Sequence, residues 1–318
     1  MIGITDIEAA AERISGHVLR TPTVPSPGLG DLLGVPVTAK LELLQRTGSF
    51  KVRGAAAKLL SLGEAERAAG VVAVSGGNHG IALAVMAGAL GVEATVVMPR
   101  SAPARAVSVA KSAGAEVRLT DDMASAFELM TELQASGLTL VHPFADPTVI
   151  AGQGTVGLEF AEDAGHVTDV LVSIGGGGLI SGIAAALRAR RPDVRIWGVE
   201  TAGAHAMSAA LAAGGPTEVE LSSIVSTLSA PTVSPITYEH VSALVDDVIV
   251  VSDAEAVQGV LDLAEHAKVW AEPAEGCLLP AARHVLERVG GNGELGLMVC
   301  GGNATPADVT AWAQRFGL

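Results

Sequence analysis

Basic residues, cysteines and aromatics are scarce in this chain of 318 residues, and long apolar runs are missing. Lysine and arginine together number 20 against 34 acidic residues, a net charge of −14. A surface so short of cations cannot neutralise a phosphate backbone, which excludes a nucleic-acid binder and disfavours an acidic membrane surface as partner. Cys277 and Cys300 are the two cysteines, too few for a disulfide framework, so a cytoplasmic setting is expected. Three tryptophans, one tyrosine and five phenylalanines leave little aromatic area for a large protein–protein hot spot. Mean hydropathy is high at +0.44, yet the best apolar run, Ile81 to Val92, contains two glycines and stops at Glu93. That is well short of the ~20 residues a membrane span needs. Thr5, Asp6 and Glu8 stand where a secretory leader would be basic, so no leader is expected.

About half of the residues (49%) are hydrophobic and 17% are charged, enough apolar material for a large core in one large or two medium domains. Short β-branched runs alternate with alanine-rich stretches. Val71–Val74, Thr95–Met98, Val117–Leu119, Val170–Ile174 and Val194–Val199 read as strands. Ile81–Leu90, Ala104–Ala113, Met123–Gln134 and Ile180–Arg190 read as helices. Strands that are apolar throughout, separated by helices, predict parallel sheets covered on both faces. No proline- or serine-rich linker divides the chain. The expected split is a small α/β domain at 48–145 and a larger one assembled from 1–47 and 146–318.

Three glycine-rich turns each follow an apolar run: Ser75-Gly76-Gly77-Asn78-His79-Gly80, Gly175-Gly176-Gly177-Gly178, and Cys300-Gly301-Gly302-Asn303. Such turns occur for packing alone. Three together point to a ligand at the carboxyl ends of strands, where backbone N–H groups can approach an anion. The tetraglycine run fails the dinucleotide spacing, because Ile180 or Ser181 stands where the third glycine belongs. No Gly-Lys-Ser/Thr is present, so a P-loop is excluded. What remains is a cup for one monophosphate. Lysines are few: Lys40, Lys51, Lys58, Lys111 and Lys268. Lys51 lies between Phe50 and Val52, where desolvation lowers an amine's pKa and makes it a nucleophile able to form a Schiff base. Taken alone it is as readily a snorkelling surface lysine.

Thr47-Gly48-Ser49-Phe50-Lys51-Val52-Arg53-Gly54-Ala55 resembles the lysine motif of the threonine/serine dehydratases, pyridoxal-phosphate (PLP) enzymes of fold type II. Arg20-Thr21-Pro22, Lys40-Leu41-Glu42, the Ser75 to Gly80 loop, the tetraglycine run, Glu272-Pro273-Ala274 and Cys300 to Asn303 follow in the family's order. The resemblance runs from about Arg20 to Thr305, and no C-terminal regulatory extension is expected. It implies two open, twisted, mostly parallel sheets covered by helices, with PLP in the cleft between the domains. It also implies that Lys51 carries PLP and takes the Cα proton, Phe50 packs on the pyridine ring and Asn78 bonds the ring oxygen. Gly175, Gly176, Gly177, Gly178 and Leu179 would hold the phosphate, and Glu272 completes the cofactor set. Cys300 would face the ring nitrogen as a weak acid and leave it unprotonated. Ser75, Gly76, Gly77, Asn78 and His79 would line the substrate carboxylate site. The implied reaction is β-elimination from L-threonine or L-serine to a 2-oxo acid and ammonia, in a cytoplasmic homodimer.

Three positions depart from the family pattern. Gly76 stands where serine racemases carry a serine, so no acid or base faces the second side of the substrate, which argues against racemisation. Of the divalent-cation triad of racemase-like members, Glu200 and Ala204 match and Ala206 replaces an aspartate, so no metal is expected. Thr227-Leu228-Ser229-Ala230-Pro231 replaces the Ala-Asp-Gly loop that faces the substrate side chain. Serine racemase and 3-hydroxyaspartate dehydratase remain alternative activities, and a non-catalytic PLP or amino-acid binder is an alternative of another kind.

Overall fold

The computed structural model, which describes residues 1–318, forms strands where the β-branched runs lie. The ten strands are β1 (Thr23–Pro25), β2 (Val37–Leu41), β3 (Val71–Val74), β4 (Ala94–Pro99), β5 (Glu116–Thr120), β6 (Thr139–Leu140), β7 (Asp169–Ser173), β8 (Arg195–Thr201), β9 (Asp247–Val251) and β10 (Leu295–Val299). One sheet has the order β1-β2-β10-β7-β8-β9 and the other β5-β4-β3-β6. Every pair is parallel except β1 with β2. The expected fold class, two mostly parallel sheets covered by helices, is the one observed. β7 and β10 are buried along their whole length, as strands covered on both faces must be.

β5 departs from that expectation. It is an edge strand whose Glu116, Arg118 and Leu119 face solvent, so one side of its ladder has no neighbour to bury it. β6 is only two residues long, too short for any period to reveal in the sequence. It nevertheless pairs with β3 and aims the segment after it at the cleft.

Four helices meet between the sheets: Ile4–Ile14, Lys51–Ser61, Pro147–Asp163 and Gly178–Arg190. Their contact is close because small residues face each other. A Cβ on Gly152 would come 2.7 Å from Arg53 O and 2.8 Å from Ala57 Cβ, and one on Gly182 would overlap the backbone of Ile150 and Gly154. Asp146 starts the helix Pro147–Asp163 by accepting from Thr148 N (2.7 Å) and Val149 N (3.2 Å), with proline at the first position. This packing fixes the helix that begins at Lys51.

Candidate active site

The lysine turn is clamped to the end of β10. Phe50 N donates to Cys300 O (3.0 Å), Gly302 N donates to Gly48 O (2.9 Å), and Ser49 forms a bridge with Gly301. Gly48 has φ +72°, and a Cβ there would overlap the Asn303 side chain, so this tight turn needs glycine for both reasons. Lys51 therefore starts its helix directly beside the Cys300-Gly301-Gly302-Asn303 turn. Its Nζ donates to Pro143 O at 3.0 Å and lies 4.9 Å from the centre of the Phe50 ring. Part of the side chain meets the open cleft, yet surrounding chain still desolvates the amine enough to bring its pKa down to about 8.

The tetraglycine turn follows β7. The N–H groups of Gly175, Gly176, Gly177, Gly178 and Leu179 find no acceptor within the chain, five donors converging at the start of a 13-residue helix. Neighbouring side chains leave no room for a Cβ here: one at Gly176 would overlap the Phe144 ring, and one at Gly177 would lie 2.9 Å from Met207 Cε and Thr237 Cβ. Unused donors, four of the five on glycine, at the positive end of a helix, fit a phosphate group. A buried amine beside them fits an aldehyde. The residues present thus suit PLP.

Ser75 to Gly80 form a second cup at the start of the helix Asn78–Leu90. Ser75 Oγ accepts from Gly77 N (3.2 Å). The His79 side chain turns away from the cup, its Nε2 lying 2.8 Å from Val141 O while Nδ1 is buried without a partner. Burial, and then the charge on Lys51, push its pKa down to about 3, so the ring is neutral at ordinary pH. Asn78 Nδ2 donates to Glu272 Oε1 (3.0 Å) and Oε2 (3.2 Å), and its Oδ1 accepts from Asn303 Nδ2 (2.7 Å).

Hydrogen bonds thus bring Asn78, Glu272 and Asn303 together, and the backbone bonds between the Lys51 turn and the Cys300 turn set Lys51 beside them at the ends of β3 and β10. Glu200 is elsewhere occupied. Its buried carboxylate accepts from Met207 N (2.8 Å), Ser208 N (2.9 Å) and Ser208 Oγ (2.7 Å), which caps the helix Ala206–Ala213.

Several residues of the cleft carry no sequence motif. His142 follows the short β6 and accepts from Ala145 N (2.8 Å) and Phe144 N (3.2 Å) through Nδ1. Burial, with the Lys51 charge adding to it, holds its pKa down at about 4. Phe144 packs on Gly176 and Gly178. Arg105 Nη1 donates to Asn303 Oδ1 (2.8 Å) and so ties the helix Ala104–Ser112 to the turn after β10. Glu275 lies behind Cys300, with Oε1 2.9 Å from Sγ. The signal that could have exposed Glu275 was a second acidic residue, three after Glu272, in the otherwise uncharged stretch Ala271 to Leu279.

The sequence matches the family described as "Pyridoxal-phosphate dependent enzyme" over residues 14–301. It is 39% identical to an L-threonine ammonia-lyase of Thermotoga maritima over 306 residues, 95% of this chain and 76% of that protein. It is 38% identical to a catabolic L-threonine dehydratase of Escherichia coli over 289 residues, 88% of this chain and 86% of that protein. Among solved structures, maize serine racemase superposes with a TM-score of 0.92 at 34% identity, covering 99% of this chain and 97% of that one. The processed threonine deaminase isoform 2 of Solanum lycopersicum also reaches 0.92, at 27% identity, covering 99% and 92%. No helix is long and apolar enough to cross a membrane.

Proposed function

The chain belongs to the pyridoxal-phosphate-dependent enzyme family, and on that premise we propose that it is an ammonia-lyase that eliminates the β-hydroxyl of L-threonine or L-serine, giving a 2-oxo acid and ammonia. The cofactor supplies an electron sink that acidifies the substrate Cα–H and opens the route to β-elimination. In this reading Lys51 Nζ would hold the cofactor and would be the base for the substrate Cα proton. Its pKa of about 8 leaves a useful fraction as free amine near neutrality. The N–H groups of Gly175 to Leu179 would hold the phosphate, Phe50 and Asn78 would flank the ring, and Glu272 holds the Asn78 amide. Cys300 would face the ring nitrogen. Ser75, Gly76, Gly77, Asn78 and His79 bind the substrate carboxylate, His79 through its backbone because its ring is engaged at Val141. The two domains, 1–47 with 146–318 and 48–145, take the cofactor between them. A homodimer and a cytoplasmic setting belong to the same reading, and light scattering on the purified protein tests the first.

The observation that carries the proposal is a desolvated lysine amine in one cleft with a turn of five unsatisfied backbone donors. Borohydride reduction of the cofactor-loaded protein followed by peptide mapping should label Lys51. Label on Lys40, Lys58, Lys111 or Lys268 instead sinks the assignment. Lys51→Ala should lower 2-oxo-acid formation by several orders of magnitude, since anchor and base go together.

The likeness to serine racemase supports a second reading, racemisation, which Gly76 disfavours. A chiral assay with L-serine should show pyruvate far outrunning D-serine, with little loss in EDTA. Comparable rates would favour the racemase.

A further inference from the structure

A series of polar side chains runs from the layer of the four-stranded sheet to the turn after β10. Arg105 begins it, as the second residue of the helix Ala104–Ser112, which packs on β5. Its Nη1 donates to Asn303 Oδ1 (2.8 Å), its one side-chain hydrogen bond. Asn303 Nδ2 in turn donates to Asn78 Oδ1 (2.7 Å) and to Thr47 O (2.8 Å). Asn78 Nδ2 donates to Glu272 Oε1 (3.0 Å) and Oε2 (3.2 Å), and Asn303 N closes the circuit on Glu272 Oε1 (2.7 Å). The ends of the series decide which way each amide faces. A guanidinium only donates, so Asn303 meets Arg105 with its oxygen. Glu272 accepts at the other end, so Asn78 meets it with its nitrogen. Seen from Nδ2, the two oxygens of one carboxyl group lie close together, whereas the two N–H bonds diverge. A single N–H therefore serves both oxygens, and the other is left over.

Arg105 stands at the end of its helix where the macrodipole disfavours a cation, and no carboxylate bonds to it. Neither the helix nor an ion pair accounts for an arginine here; the contact with Asn303 does. Burial raises the pKa of Glu272, while the Asn78 amide, Asn303 N and then the Arg105 charge pull against it, so the influence of the cation extends to the far end of the series.

We propose that Arg105 is a positioning residue for the ring oxygen of the cofactor: acting through Asn303, it fixes and polarises the Asn78 amide, whose spare Nδ2–H is the donor to that oxygen. This deepens the reading of Asn78 given above and rests on it. Each link strengthens the next. The guanidinium draws electron density toward Asn303 Oδ1, which sharpens its Nδ2–H as a donor, and the same shift passes through Asn78 Oδ1 to Asn78 Nδ2–H. Arg105 belongs to the layer of one sheet and Asn303 to that of the other, so the donor reaches full strength only while the two layers stay together at this point.

The chain has three asparagines, Asn78, Asn292 and Asn303. Labelling with asparagine that carries 15N in its side chain therefore gives three NH2 signals by NMR, assigned with Asn292→Ser and Asn303→Ser. In cofactor-free protein Arg105→Met, at an exposed site, should move the Asn303 and Asn78 signals and leave Asn292 in place. A shift confined to Asn303, or no shift, overturns the proposal, because a mere tie between helix and turn would stop there. PLP added to wild type should move the Asn78 signal, and binding that leaves it unmoved also overturns the proposal. Arg105→Met should bind PLP roughly 3–10-fold more weakly, the net worth of one hydrogen bond. It should also change the ratio of the two absorption bands that report whether the bound ring oxygen is protonated. Arg105→Lys, which keeps the cation, should lie nearer wild type in both. An unchanged band ratio in Arg105→Met refutes the polarisation. A wild type that takes up no PLP overturns the proposal together with the reading beneath it, and the cofactor-free spectra, which need no PLP, tell that outcome from failure of the Arg105 link alone.

Discussion

Lys51, the proposed cofactor anchor, weakens the fold that holds it. Its folded pKa of about 8 lies below the ordinary lysine value of 10.5, because burial penalises the ammonium. Below pH 8 the amine is charged in folded and unfolded states alike, and the full desolvation cost is present. Between pH 8 and 10.5 the unfolded chain binds more protons, so stability from this group rises with pH, and above 10.5 the cost is gone. Cofactor-free Lys51→Met should therefore be more stable than wild type by about 1–3 kcal/mol at pH 7, with the gap closing toward pH 10.5. The figure is held low because part of the side chain meets solvent. Urea titrations across that range check it, and a gap that widens with pH contradicts it. Gly76 is a second case. A Cβ there would lie 3.0 Å from Ala102 Cβ, so Gly76→Ser alone is crowded. Paired with Ala102→Gly it should raise D-serine relative to pyruvate in the chiral assay, as a hydroxyl then reaches the second face of the substrate.

At the scale of elements, glycines decide how closely helices approach. Gly182 on the helix Gly178–Arg190 faces Gly154 and Ile150 on the helix Pro147–Asp163 with no room for a methyl group. Gly182→Ala gains helix propensity but overpacks this contact, and a net loss of about 1–3 kcal/mol is expected. Thermal unfolding of the cofactor-free protein measures it, and an unchanged or raised Tm would show that the helices can slide apart. The Gly175–Leu179 donors lie at the start of the same helix, one turn before Gly182, so the variant should also weaken PLP uptake. The strands most legible in the sequence, β3, β4, β7 and β8, are those whose runs are rich in β-branched residues and buried over nearly their whole length. β6 escaped because two residues have no period, and with it went the His142–Phe144 segment that it aims into the cleft.

Across the whole molecule, one buried ion network ties the chain's beginning to its middle. Arg53, 1% exposed, donates to both oxygens of Glu42 and both of Glu159, to Thr155 Oγ1 and to Leu19 O. Lys40, fully buried, donates to Glu159 (2.6 Å) and Thr21 O (2.8 Å). Burial opposes the Arg53 charge, but Glu42 and Glu159 outweigh it and raise its pKa. Arg53→Met should cost about 3–5 kcal/mol because it leaves Glu42 as an uncompensated buried charge. Adding Glu42→Gln should recover part of that loss, and urea denaturation of the single and double variants measures both. Equal stability of the two would show that Glu42 finds another partner.

By itself the sequence determined the fold class and the family, and it nominated the residues proposed to bear the chemistry. Those follow from local order: β-branched runs, glycine turns after them, and a lysine set between Phe50 and Val52. Tertiary structure alone decided which groups stand behind those residues. Ser49 meets Gly301, Asn78 meets Glu272 and Asn303, and Glu275 meets Cys300, across separations in the chain that no local period records. The physical reason is that charge and proton position depend on the dielectric and the donors around a group. Those are set by whichever distant segments the packing of two sheets and four small-residue helices brings together.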